Sequence, residues 1–175
     1  MSAADERVVY FAYGANVHTA WLKRRVPDAE LIGPGVLPGY RLAFRKRGRD
    51  GSARSDACPC DEPGAGLPGA LYGMRAADLQ RLGAAGAGYL ARQVRVESAD
   101  GTLDAITWVA APEEIAAGLL PWDWYVALIR NGAAQLGLPE AHRRWLASVR
   151  VAVDYDSARA APARQIVAAA LSGDA

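Results

Sequence analysis

The sequence predicts an α+β domain. Three observations carry that expectation. The first two thirds of the chain break into strand-length segments divided by glycine and proline, one pair of these reads as a hairpin, and the last third switches to a helical period. A length of 175 residues fills one core and is short for two, so a single domain over residues 1–175 is expected, with the tail from about residue 155 as an extension. With 51% hydrophobic and 22% charged residues the chain lies outside the range of disordered sequences.

Residues 7–13 (RVVYFAY) are a short apolar run rich in β-branched and aromatic types, the pattern of a buried strand, and Gly14 ends it. A turn should follow, then a helix over residues 19–25 (TAWLKRR) closed by Pro27 and Asp28. Strand-length pieces come next at residues 30–36, 40–45, near 55–60 and at 67–72. Residues 89–97 alternate apolar with polar, Asp100-Gly101 interrupts, and residues 103–110 resume, which is the clearest hairpin in the chain. Trp124, Tyr125, Leu128, Ile129, Ala133 and Leu136 then recur at the spacings of one helix face, ended by Gly137. A second helix over residues 139–149 and an alanine-rich tail over 160–171 complete a β-rich body with late helices, a small mixed barrel or sheet of about six or seven strands.

Composition removes several function classes. A formal charge of +1 is too small for the field that sequence-independent binding to nucleic acid needs. The basic run at residues 41–49 (RLAFRKRGR) reads as the solvated end of a hairpin; as a nucleic-acid or membrane patch it would bind in a steeply salt-sensitive way. No apolar stretch approaches the ~20 residues of a membrane span, and the N-terminal residues lack the basic-then-apolar order of a signal peptide, so a cytoplasmic protein is expected. Cys58 and Cys60, separated by Pro59 alone, are too close for an unstrained disulfide and too few for a four-ligand zinc site, and read as strand residues.

The segment with chemical promise is residues 10–17 (YFAYGANV), where a buried strand runs into a glycine turn ahead of a helix. Such a turn exposes backbone N–H groups that, with the positive end of the helix, suit a carboxylate or a developing oxyanion. The plainer alternative is a strand-to-helix connection in which Gly14 only relieves backbone strain.

This motif and four others in order resemble the γ-glutamylcyclotransferase family, also described as AIG2-like. YFAYGAN is similar to the family's Y-x-A/F-Y-G-S-N; GPGVLPGYRLAFRKRG (33–48) and LPGALYGM (67–74) look like its following strands. DLQRLGAAGAGYLARQVRV (78–96) falls where the family has a short helix, a Glu-Gly pair and a Tyr-Arg strand, and LLPWDWYVALIRNGAAQLGLP (119–139) resembles its late helix. The resemblance implies a cofactor-free reaction without a metal on a small-molecule substrate. The α-amine of a γ-glutamyl amine or amide attacks its own γ-carbonyl, releasing 5-oxoproline and an amine, with one glutamate moving the protons. It also implies that Tyr13, Gly14, Ala15, Asn16 and Val17 hold the glutamyl group through backbone amides, and that Tyr89 and Tyr125 help line the pocket.

The family's glutamate is absent. Its position is Gly83, flanked by Leu82 and Ala84, and no glutamate lies within this segment. Three readings follow: Asp123, two residues before Tyr125, replaces the base; the pocket serves a different cyclisation, amide or acyl-transfer reaction, with Cys60 or His18 recruited; or the protein binds a γ-glutamyl-type ligand without chemistry. Asp123 also reads as an acidic residue in a helix's first turn, and Tyr89 and Tyr125 as core aromatics. The oligomeric state is not legible.

Overall fold

The structure, a computed structural model, describes residues 6–172. Strand β1 (Arg7–Ala12) leads through a 3-10 turn (Ala15–Val17) into helix α1 (Thr19–Lys23). Strands β2 (Glu30–Pro38), β3 (Tyr40–Arg47), β4 (Ala53–Pro59) and β5 (Gly66–Arg75) follow, then α2 (Ala76–Ala85), β6 (Tyr89–Ser98) and β7 (Gly101–Ala110). A second 3-10 turn (Pro112–Glu114) precedes α3 (Asp123–Gln135), α4 (Glu140–Ser148) and α5 (Ser157–Ser172). The α+β class is the one predicted: five strands close a barrel in the order β1-β5-β2-β6-β7, β3 and β4 pair apart from it, and helices flank both. Among the described residues no helix is long and apolar enough to cross a membrane.

β1 is apolar throughout its middle because it is covered on both faces. It pairs antiparallel with β5 from Arg7↔Arg75 to Ala12↔Ala70 and meets β7 in parallel at Tyr10↔Ile106, which closes the barrel. Phe11, Leu67, Leu71 and Tyr72 are fully buried there, each worth about 1.5–3 kcal/mol of transfer free energy. The hairpin has the expected register, with Ser98↔Gly101 at its tip and Tyr89↔Ala110 at its base. Barrel curvature depends on a missing side chain: Gly69 faces Gly35 across β2–β5, and a Cβ on Gly69 would lie 2.4 Å from the Ala12 carbonyl oxygen and 2.7 Å from the Phe11 ring.

Two expectations need correction here. The basic run is only in part a solvated hairpin end: Arg41, Arg47 and Arg49 are exposed, but the rest of the run is not. It forms β3, where Lys46 is buried beside Glu114 at 3.8 Å and Arg45 pairs with fully buried Asp56 at 2.7 Å. The expected helix over residues 19–25 stops at Lys23, since the Arg25 and Val26 amides both turn back to the Leu22 carbonyl.

The C-terminal tail packs into the body. Ala160 and Ala163 of α5 are fully buried, and their small side chains let the helix approach closely. Buried Asp154 accepts the Trp124 indole N–H at 2.7 Å and both Arg159 Nε and Nη2, at 2.7 and 2.6 Å. These charge-assisted bonds fix α5 to the start of α3.

Gly69→Ala should lower stability by about 1–3 kcal/mol, because a backbone carbonyl cannot step aside. The midpoint of denaturant unfolding measures it.

Candidate functional site

A cavity of about 350 Å³ opens where the turn after β1, the β3–β4 pair, the end of α2 and the start of α3 converge. Tyr13, Gly14, Ala15, Asn16, Tyr89 and Tyr125 all line it, so residues from three segments distant in sequence share one wall. The sequence did not single out Arg54, Ser55, Lys46, Arg25 and Trp108, which line it too.

Ser55 is the hinge of the site. Tyr125 Oη lies 2.7 Å from Ser55 Oγ and accepts the Ser55 amide at 3.2 Å, while Tyr89 Oη donates to the Ser55 carbonyl at 2.6 Å. Gly14 is required by this seryl group rather than by its own dihedrals. Its φ of −96° is open to other residues, but a Cβ would sit 2.2 Å from Ser55 Oγ and 3.1 Å from Tyr125 Oη. Tyr13 donates its hydroxyl to the Trp108 carbonyl, tying the turn to β7. Burial pushes the Tyr89 and Tyr13 hydroxyls well above the ordinary phenol range, and burial lifts Tyr10 to about 12, so these groups stay protonated donors.

Among the described residues, no protein acceptor takes the amides of Gly14, Ala15 and Asn16. Val17 differs: its amide is bound to the Gly14 carbonyl at 2.9 Å, and the residue is buried outside the cavity wall. It is removed from the donor set. The helix contribution is also corrected, because a three-residue turn and a five-residue helix carry little macrodipole. The Asn16 side chain is consumed locally, donating to Tyr10 Oη at 3.1 Å and accepting from Arg25.

Asp123 does not reach the cavity. Its carboxylate accepts the Asp154 amide at 3.1 Å and Arg164 at 2.9 Å. Partial burial works the other way, but those two donors hold its carboxyl below the usual carboxylate range, the opposite of a tuned base. It is a helix-start residue that anchors α5. Cys60 and His18 are likewise absent from the wall. His18 is fully buried behind the turn, with Nε2 2.8 Å from Asn131 Oδ1, and Gly132 lacks a Cβ because one would lie 2.8 Å from the His18 backbone nitrogen.

Gly83 is in the wall, and its missing side chain has a physical counterpart. A Cβ there would fall 2.2 Å from the Trp108 ring, so the indole fills the space a side chain at position 83 would enter. Among the wall residues are four cations, Arg25, Lys46, Arg49 and Arg54, and no aspartate or glutamate. Burial lowers the Lys46 ammonium below the ordinary lysine range, with Glu114 opposing the shift.

The sequence matches no protein-family model and no curated protein. Solved structures do match, and they define the fold as that of γ-glutamylcyclotransferase-like proteins. A structure described as gamma-glutamyl cyclotransferase has a TM-score of 0.81 at 21% identity, covering 93% of this chain and 99% of that one. An uncharacterized protein from Homo sapiens has a TM-score of 0.77 at 20% identity, over 93% and 99% of the two chains. A yeast structure described as a gamma-glutamyl cyclotransferase specific to glutathione has a TM-score of 0.60 at 10% identity, over 81% and 93%. At these identities the likeness is one of fold.

Two outcomes are expected. Gly83→Ala should cost about 1–3 kcal/mol through overpacking on Trp108, and the penalty should vanish in a Trp108→Ala background; a double-mutant cycle of denaturant unfolding reads the coupling. Burial lowers the His18 pKa, partly offset by Asn131, so the unfolded chain binds this proton more readily than the folded one. The His18 contribution should therefore lower stability as pH falls below about 6.5. Thermal unfolding between pH 8 and 5 should show a shallower decline for His18→Gln than for the wild type.

Proposed function

We propose that the cavity binds a γ-glutamyl amine or amide, and that capture of this ligand rather than rapid turnover is the function. The observation that carries the reading is the wall itself: free amides at Gly14, Ala15 and Asn16 beside four cations and no carboxylate. Such a wall suits an acyl oxygen and a carboxylate, and it fits the fold's likeness to a structure described as gamma-glutamyl cyclotransferase.

The chemistry open to such a ligand is internal. Its α-nitrogen forms a bond to the γ-carbonyl carbon, the bond from that carbon to the leaving nitrogen breaks, the α-nitrogen gives up a proton and the leaving nitrogen takes one. The turn amides can donate to the oxyanion. What is missing is a carboxylate to carry the proton, a role typically worth about 10²–10⁴-fold in rate. Trp108 occupies the place beside Gly83 where such a group would stand.

One observation favours a second, catalytic reading. Lys46 is buried in the wall, its ammonium is easier to deprotonate than an ordinary lysine, and it lies 5.3 Å from the Tyr89 ring centre. A neutral Lys46 would move the proton in a slower cyclisation.

Calorimetry and 5-oxoproline release, run together on a panel of γ-glutamyl amines and amides, separate the two. The first reading expects saturable binding with release at the uncatalysed rate. The second expects slow release that Lys46→Met abolishes and Asp123→Asn leaves intact. No binding by any member of the panel would sink both.

A further inference from the structure

The cavity wall holds three of the chain's five tryptophans, Trp21, Trp108 and Trp124. Trp108 packs on the Gly83 position and Trp124 is buried, but Trp21 of α1 keeps part of its surface exposed.

The neighbours of Trp21 hold it in place. The Arg24 and Arg25 guanidinium carbons stand 5.5 and 5.9 Å from its ring centre, and the Trp124 ring lies 6.2 Å away, tilted by 46°. Trp124 is a fixed brace, since its indole N–H is bonded to Asp154 at 2.7 Å and Tyr125 meets it edge-on at 5.9 Å. Arg25 also donates to the side chain of Asn16, whose backbone amide is one of the three in the turn without a protein acceptor. One arginine therefore joins the Trp21 indole to the acyl end of the cavity.

Two properties of this place select a ligand. Aromatic surface on a cavity wall favours another ring, which gains stacking geometry on top of the buried area. The cations select against the other group that an indole face attracts, an ammonium. Arg24 and Arg25 already stand against this ring, and Arg49 and Arg54 line the same wall, so a further positive charge meets repulsion.

We infer that Trp21 is the specificity-determining residue for the amine half of the ligand, and that this half carries an uncharged aromatic ring. This rests on the reading of the cavity as a γ-glutamyl site and names the class of amine that such a ligand carries.

The test is calorimetry on the full chain with the γ-glutamyl amides of ethylamine, benzylamine, cyclohexylmethylamine and 1,4-diaminobutane, the last singly acylated, together with N-acetylbenzylamine, which has the ring and no glutamyl group. The benzyl compound should bind about fivefold more tightly than the cyclohexylmethyl one, which resembles it in size but cannot stack. The diaminobutane compound should bind no more tightly than the ethylamide. Trp21→Leu should remove the fivefold margin and leave ethylamide binding unchanged, while Trp21→Phe, which keeps a ring, should retain most of the margin. Benzyl against cyclohexylmethyl is measured on the wild type, so the comparison stays decisive if Trp21→Leu fails to fold. Equal affinity for the two ring compounds, a margin that survives Trp21→Leu, or tightest binding by the diaminobutane compound would overturn the role of Trp21 and leave the γ-glutamyl reading intact. Saturable binding of N-acetylbenzylamine that Trp21→Leu weakens, with none of the glutamyl compounds bound, would keep the aromatic subsite and remove that reading. No binding of any probe would remove both.

Discussion

The grip of two tyrosines on Ser55 is the constraint from which the site follows. Tyr125 from α3 and Tyr89 from β6 between them engage the amide, hydroxyl and carbonyl of one residue in β4, so three elements far apart in sequence are locked at a common point. Once Ser55 is fixed, the turn after β1 can pass it only as glycine, and the amides of Gly14, Ala15 and Asn16 have no protein acceptor among the described residues. The barrel supplies the rigidity this needs, since β1 is paired on both sides immediately before the turn begins.

Polarity is the second theme. Four cations, Arg25, Lys46, Arg49 and Arg54, line the cavity beside the turn residues, with no aspartate or glutamate among the wall residues. The acids that balance those cations stand behind them, Asp50 against Arg54 and Glu114 against Lys46, and neither acid is in the wall. Such an arrangement neutralises charge for folding while keeping the inner surface receptive to anions. It also explains why Lys46 can be buried at all, since a lone buried ammonium without Glu114 would carry an unoffset desolvation cost.

Much of the fold was legible because its signals are local. The β6–β7 hairpin shows period-two alternation and an Asp-Gly turn, and α3 shows a single apolar face; both formed over the segments that carry those signals. The site was legible in part, through Tyr13, Gly14, Tyr89 and Tyr125. What escaped is non-local: nothing in RLAFRKRG distinguishes the inward Lys46 from its solvated neighbours, and nothing around Ser55 announces that two tyrosines 34 and 70 residues away will meet it. Asp123 misled for the same reason, because a first-turn carboxylate near a pocket tyrosine gives no sign in sequence of whether it faces the cavity or the C-terminal helix.

Gly83 and Trp108 should be understood as one feature rather than as a loss and a bystander. A glycine alone at position 83 would leave a gap beside the end of α2, and gaps in packed walls are costly. Here an aromatic ring lies within 2.2 Å of where the side chain would begin, so the glycine is the clearance that the indole requires. A site merely decayed from catalysis would tolerate any small residue at position 83 and any neighbour at 108. A pair this tightly fitted constrains both positions together, because the indole ring already stands where a side chain at position 83 would begin.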